Sequence, residues 1–254
     1  MRTAVLVMIW IPAVLWLDRT ATPTGQAALA VLTWALLIGL LVRETPLVRA
    51  QTAVVVVFAT LVEYVFSGWL EVYVYRLDHV APYVPPGHGL VYLAALGFTR
   101  SAWLRAHARG AVTATVAVAL GYAAWGLWLA PRADVLGAFW CLCLLGFLRW
   151  GRDRLLYVGA LVVVTWLELL GTAWGVWTWM PVDTIAGWVS IGNPPSIAAG
   201  GYGWFDLVAV AAAPAVVRGW DRLRGKGRGV PQDGDPSSES TSSWSRPLVE
   251  TPLP

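Results

Sequence analysis

Residues 155–180 read LLYVGALVVVTWLELLGTAWGVWTWM, an apolar run broken by a single charge, Glu168. A helix needs about 20 residues to cross the hydrocarbon core of a bilayer, with a range of about 17–25. This stretch therefore predicts a transmembrane helix with a carboxyl group at depth. Seven more apolar segments, at 3–17, 26–42, 51–75, 89–104, 110–130, 134–149 and 200–217, repeat the pattern. The fold expected is all-α, a polytopic membrane helix bundle of about eight transmembrane helices. The segment at 3–17 follows Arg2 as a signal-peptide core would, but no convincing small-residue cleavage site follows it, and it is kept as a helix.

Composition points the same way. The chain is 57% hydrophobic and 13% charged, whereas a soluble domain carries about 25% charged residues. Its 17 Trp and 25 Gly suit interfacial anchoring and close helix packing in lipid. Cys141 and Cys143 lie inside an apolar run and read as small core residues rather than a chelate. No Walker loop, serine-nucleophile elbow, dinucleotide fingerprint or nucleic-acid-binding pattern is present. The bilayer and a lipophilic small molecule are the expected partners, and nucleic acid is not. The sequence leaves oligomeric state open.

Basic residues orient the bundle. With eight spans, one face receives Arg2, Arg43, Arg49, Arg100, Arg105, Arg109, Arg149, Arg152, Arg154 and all six basic residues from Arg218 onward, and the other receives Arg19, Arg76 and Arg132. The positive-inside rule places the richer face, and with it both termini, in the cytoplasm of a plasma-membrane protein. Residues 225–254 are rich in Gly, Pro and Ser and read as a disordered cytoplasmic tail.

The same run also reveals an internal repeat. Glu63-Tyr-Val-Phe-Ser67-Gly-Trp69 aligns with Glu168-Leu-Leu-Gly-Thr172-Ala-Trp174, and one residue out of step Tyr73-Val-Tyr75 aligns with Trp177-Thr-Trp179. Pro85-Pro86 and Pro194-Pro195 come in the loops beyond. The reading is two tandem four-helix repeats, 1–108 and 109–224, of like orientation, related by an axis along the membrane normal. Glu63 and Glu168 would then face each other across one central cavity.

Acidic groups inside spans mark function, because a carboxylate at mid-membrane costs several kcal/mol, roughly 2.5–3.5 for Asp on insertion scales. Four fall there: Glu63, Glu71, Glu168 and Asp206. If the third helix ran to residue 75, Glu63, Ser67, Glu71 and Tyr75 would form one polar stripe at i, i+4 spacing. His88, between two glycines after Pro85-Pro86, is placed to exchange a proton near neutral pH. Residues 182–200 are too polar and Gly/Pro-rich for a span and suggest a re-entrant or lid segment. Asn193, Tyr202 and Asp206 are expected to reach the vestibule of His88. Arg76 would either receive an anionic group or pair with Asp78. Glu63, Glu168, Asp206 and His88 are the expected catalytic residues. Glu71, Tyr75, Arg76, Asn193, Tyr202, Trp69 and Trp174 are the expected substrate-binding ones. The structural alternative is that Glu63 and Glu168 serve packing, through Ser67, Thr172 or helix caps, and that the aromatics form an interface belt. No cofactor is expected. A metal on His88 and these carboxyl groups lacks ligand spacing on any one helix.

A Glu in an apolar helix, followed by Gly and aromatic residues and a Pro-bearing loop, resembles integral-membrane enzymes of carotenoid and isoprenoid metabolism, of the hydratase and cyclase types. The resemblance covers Glu63 to Tyr75 and Glu168 to Trp179. It implies protonation of a polyene by a buried carboxylic acid, with Trp69, Trp174, Tyr75 and Trp179 stabilising a carbocation. The function expected is a membrane-embedded enzyme doing acid/base chemistry on a lipophilic substrate between the two repeats. The alternatives are a small proton-coupled transporter and a non-catalytic scaffold subunit.

Overall fold

The computed structural model describes residues 1–225. Residues 1–218 form one compact unit. The tail expected from 225 lies, from residue 226 on, outside the described residues.

Among the described residues the fold is all-α, with nine helices and one short β ribbon: α1 (Arg2–Asp18), α2 (Pro23–Leu41), α3 (Pro46–Glu63), α4 (Val84–Thr99), α5 (Ala102–Ala106), α6 (Ala108–Trp128), α7 (Val135–Trp150), α8 (Arg154–Ala173) and α9 (Ala199–Leu223). Counting the π-helical turn that continues α3, five are long and apolar enough to cross a membrane: α2, Pro46–Trp69, α6, α8 and α9. These are the helices of a multi-pass membrane protein. Apolar side chains such as Val31, Val57 and Leu142 stand exposed on the outer faces, where lipid rather than water is the matching solvent.

Helix starts reflect local chemistry. Thr22 and Thr45 cap α2 and α3 with their side-chain oxygens, each ahead of a proline in the first turn. Asp134 and Asp153 cap α7 and α8 in the same way. α4 and α8 are the enclosed helices, buried along most of their length, and pack on each other more extensively than any other pair. Gly159 permits that approach: a Cβ there would lie 2.6 Å from the Ala95 carbonyl oxygen on α4. Gly159→Ala is expected to destabilise the protein by about 1–3 kcal/mol, the usual cost of overpacking a filled contact. A thermal melt in detergent reads this, and an unchanged midpoint would refute it.

Two expected spans end early. The segment expected over 51–75 leaves the α-helix at Glu63, makes the π turn Tyr64–Trp69 and becomes strand β1 (Tyr73–Tyr75). The segment expected over 155–180 leaves α8 at Ala173 and becomes β2 (Trp177–Trp179). The polar stripe read from i, i+4 spacing is therefore corrected, because Glu71 and Tyr75 are not on the helix of Glu63. Glu71 instead sits at the reversal with φ 49°, and Gly175 makes the matching turn after α8 with φ 67°. One extra residue separates Glu63 from Tyr73 compared with Glu168 from Trp177, and the π turn, which adds a residue to a helical turn, accommodates it.

The strands pair antiparallel, Tyr73 opposite Trp179, Val74 opposite Thr178 and Tyr75 opposite Trp177. The period of two along a strand puts all four aromatic side chains on one face. Arg132 donates to the Trp179 carbonyl at 3.1 Å. Arg76, just past β1, donates to the Ala21 carbonyl at 2.6 Å and pairs with Asp18 at 3.4 Å. Its partner is thus Asp18, not Asp78, and its role is to tie the ribbon to the end of α1.

Candidate functional site

The aromatic face of the ribbon closes a cavity of about 280 Å³. Glu63 reaches it from the last turn of α3, Glu168 from α8, His88 from the first turns of α4, and Tyr202 from α9. Trp10, Phe58, Phe66, Trp140, Trp204 and Phe205 supply much of its apolar wall.

Both carboxyl groups are buried, and each is held by the aromatic pair that comes after it in sequence. The Tyr73 and Tyr75 hydroxyls donate to Glu63 Oε2, both at 2.8 Å. The Trp177 and Trp179 indoles donate to Glu168 Oε2 at 3.0 and 3.1 Å. His88 Nε2 lies 2.9 Å from Glu63 Oε1, and its ring is 5.5 Å from both Tyr202 and Phe205. Burial, reinforced by the neighbouring Glu63 carboxyl, pushes the Tyr73 and Tyr75 phenols well above their usual range. They remain O–H donors at neutral pH.

Each Glu thus bonds side chains that return from beyond its own helix, rather than Ser67 or Thr172. The Thr172 hydroxyl donates to the backbone carbonyl of Glu168 at 2.7 Å instead. Gly171 leaves room for Trp177, whose ring a Cβ there would strike. Gly89, beside His88, packs so closely that a Cβ would come within 2.9 Å of Leu37, while Gly87 faces open space. Tyr75→Phe removes one donor to Glu63 but keeps the ring. The loss is expected to cost about 0.5–3 kcal/mol of stability. A thermal melt of Tyr75→Phe in detergent, beside Tyr73→Phe, checks this, and an unmoved midpoint would count against it.

Of the residues singled out from sequence, Glu63, Glu168, His88, Tyr75, Trp179 and Tyr202 line the cavity, whereas Asp206, Trp69, Trp174, Asn193, Arg76 and Glu71 are not among its lining residues. Asp206 is buried on α9, but away from the cavity lining. Trp69 is 79% exposed. Trp174 packs edge-on against Trp16 at 5.4 Å. Asn193 is exposed and accepts a hydrogen bond from the Trp179 backbone amide at 3.0 Å, bracing the ribbon. Glu71 occupies the turn before β1.

Residues 182–200 divide in two. The 182–190 loop is built around Asp183, whose carboxylate accepts from the backbone amides of residues 185–189. Those amides, Ala186 foremost, hold the Asp183 carboxyl below its usual range. Beyond it, Ile191, Gly192, Ser196 and Ile197 are buried. Asp134 secures that stretch, accepting from Gly192 N and Ser196 N as well as Gly137 N.

Tyr73, Trp177 and the anchors Asp18 and Asp134 did not emerge as site or support residues from sequence. The signal for the first two was the aromatic-x-aromatic spacing, which puts both rings on one face if read as a strand. Asp134 carried an N-cap signal ahead of an apolar run. Asp18 carried none, although it accepts from Gln26, Tyr83 and Arg76. Among the described residues no group of three His, Cys, Asp or Glu is placed to hold a metal ion.

Fold and site together describe a multi-pass helical membrane protein with two carboxyl groups in one aromatic-walled cavity. No family model, curated protein or solved structure matches the chain.

Proposed function

We propose that this protein is a membrane-embedded enzyme that performs acid/base chemistry on a lipophilic substrate held between Glu63 and Glu168. The observation that carries the reading is the pairing of two buried carboxyl groups, one bonded to a histidine, within a single aromatic-lined cavity. Cavities of about 300–1,000 Å³ are usual for small-molecule sites. This one, at about 280 Å³ just below that range, suits the end group of a long molecule whose remainder lies in lipid. Aromatic faces favour a developing cation. A neutral isoprenoid or carotenoid end group fits these walls, with hydration or ring closure as the reaction.

The chain is further read as eight spans in two tandem four-helix repeats, 1–108 and 109–224. Support comes from the ribbon, where each half contributes one Glu with its own aromatic pair and the two pairs meet antiparallel. The arginine distribution supports cytoplasmic termini in the plasma membrane and a site toward the opposite face.

The test compares lipid and pigment extracts of cells with and without the protein, with Glu63→Gln and Glu168→Gln as controls. A product present only with the unaltered chain is expected. Unchanged extracts, together with proton-dependent solute uptake into liposomes that Glu63→Gln abolishes, would make the protein a carrier instead.

A further inference from the structure

The two carboxyl groups are held differently, and the difference assigns their roles if the site does the acid/base chemistry proposed for it. Both oxygens of Glu63 are engaged: Oε2 by the Tyr73 and Tyr75 hydroxyls, Oε1 by His88 Nε2. Glu168 has only Oε2 engaged, by two indole N–H groups. Its Oε1 has no hydrogen-bond partner among the described residues. An indole N–H donates and cannot accept. A proton on Glu168 therefore has no place on Oε2, which already faces two donors, and belongs on Oε1, the oxygen left to the cavity. Around Glu63 the case is reversed, since two phenols and an imidazole can together compensate a negative charge. A carboxylate offers about four acceptor positions, and three donors leave one open.

We propose that Glu168 is the proton donor to the substrate, through Oε1, and that Glu63 is the anionic group opposite it. The apolar lining suits a neutral lipophilic molecule, and the reacting group is the alkene of the proposed isoprenoid or carotenoid end group. The Glu168 O–H bond breaks as the alkene π pair forms a new C–H bond, leaving a carbocation and the Glu168 carboxylate. The cation adds to a second double bond of the same molecule or stays where it forms. An adjacent C–H then gives its proton to Glu63, and its electron pair forms a new C=C. The change is a redox-neutral ring closure or isomerisation. Proton exchange with water restores both carboxyl groups. Trp177 and Trp179 are positioning residues, because they fix which Glu168 oxygen carries the proton.

Infrared difference spectra of the purified full-length protein in lipid nanodiscs, recorded in H₂O and D₂O, test this without any substrate. A protonated-carboxyl C=O band that shifts in D₂O is expected, lost in Glu168→Gln and retained in Glu63→Gln. Asp206→Asn identifies any band from that buried acid. Trp177→Phe and Trp179→Phe should each move the Glu168 band to higher frequency, because the C=O loses one N–H donor. These two variants report on Glu168 even if Glu168→Gln folds poorly. The assignment is overturned if the band vanishes in Glu63→Gln, if only Asp206→Asn removes it, if no such band exists, or if neither Trp→Phe variant moves it. Unchanged cellular lipids would instead sink the enzyme reading while leaving this spectrum intact, so the two failures are distinguishable.

Discussion

Glu63→Gln is expected to lower turnover about 10²–10⁴-fold, the usual contribution of a positioned acid or base, while leaving the fold intact. The substitution preserves shape, and its amide oxygen still accepts from Tyr73 and Tyr75, which lie 2.8 Å from Glu63 Oε2. What is lost is the carboxyl group's ability to exchange a proton, and the oxygen that faces His88 Nε2 at 2.9 Å is replaced by an amide nitrogen. Rates would be measured on the substrate that the extract comparison identifies, beside a melt of each variant in detergent. Activity near that of the unaltered protein would remove Glu63 from the chemistry. A collapse of melting temperature that tracks the loss of activity would make its role structural. Glu168→Gln should show the same separation of rate from stability, because a glutamine oxygen can still accept from both indoles.

Asp134→Ala should produce the largest loss of stability. Its carboxylate is 1% exposed and satisfies three backbone amides: Gly137 N at 2.9 Å, Gly192 N at 2.9 Å and Ser196 N at 2.5 Å. An unsatisfied buried donor costs about 1–3 kcal/mol, so three of them with little access to water imply a loss of about 3–5 kcal/mol. For a chain of this size that corresponds to a melting temperature lower by roughly 10 °C. Asp134→Asn keeps one acceptor oxygen and should lose about half as much. The segment that Asp134 holds leads into α9, which carries Tyr202 and Phe205 to the cavity, so activity should fall along with stability. A shift of under about 2 °C for Asp134→Ala would mean that other groups satisfy these amides.

Much of the bundle was legible because lipid leaves the backbone few choices. A helix in hydrocarbon must satisfy its own amides, so an apolar run of the right length announces one, and each of the eight expected segments contains a helix. The carboxyl groups were legible for a related reason: Glu63 and Glu168 are conspicuous in runs that otherwise exclude charge. His88 stood out because its glycine and proline neighbours set it in a turn at a helix start. The helix ends were harder to read. Tyr64 to Tyr75 contains no proline and is mostly apolar, so sequence carried α3 through to residue 75 and put Glu71 and Tyr75 on the helix of Glu63, where the chain instead turns and forms a strand. Trp69 and Trp174 stood nearer the glutamates in sequence than Tyr73 and Trp177 did, yet it is the more distant pair that donates hydrogen bonds to Glu63 and Glu168.

Sequence by itself determined the membrane class, the run of helices, and the two acids with an aromatic pair downstream of each, since burial in lipid selects residue type position by position. Only the tertiary structure decided that α3 and α8 stop short, that their aromatic pairs turn back as one antiparallel ribbon, and that phenols and histidine hold Glu63 while indoles hold Glu168. Those outcomes depend on hydrogen bonds closed between residues 9 to 25 positions apart and across two strands, Tyr73–Tyr75 and Trp177–Trp179, that are far apart in sequence. Local periodicity carries no record of such pairings, because a side chain's partner is set by where the chain turns rather than by the helix it would otherwise continue.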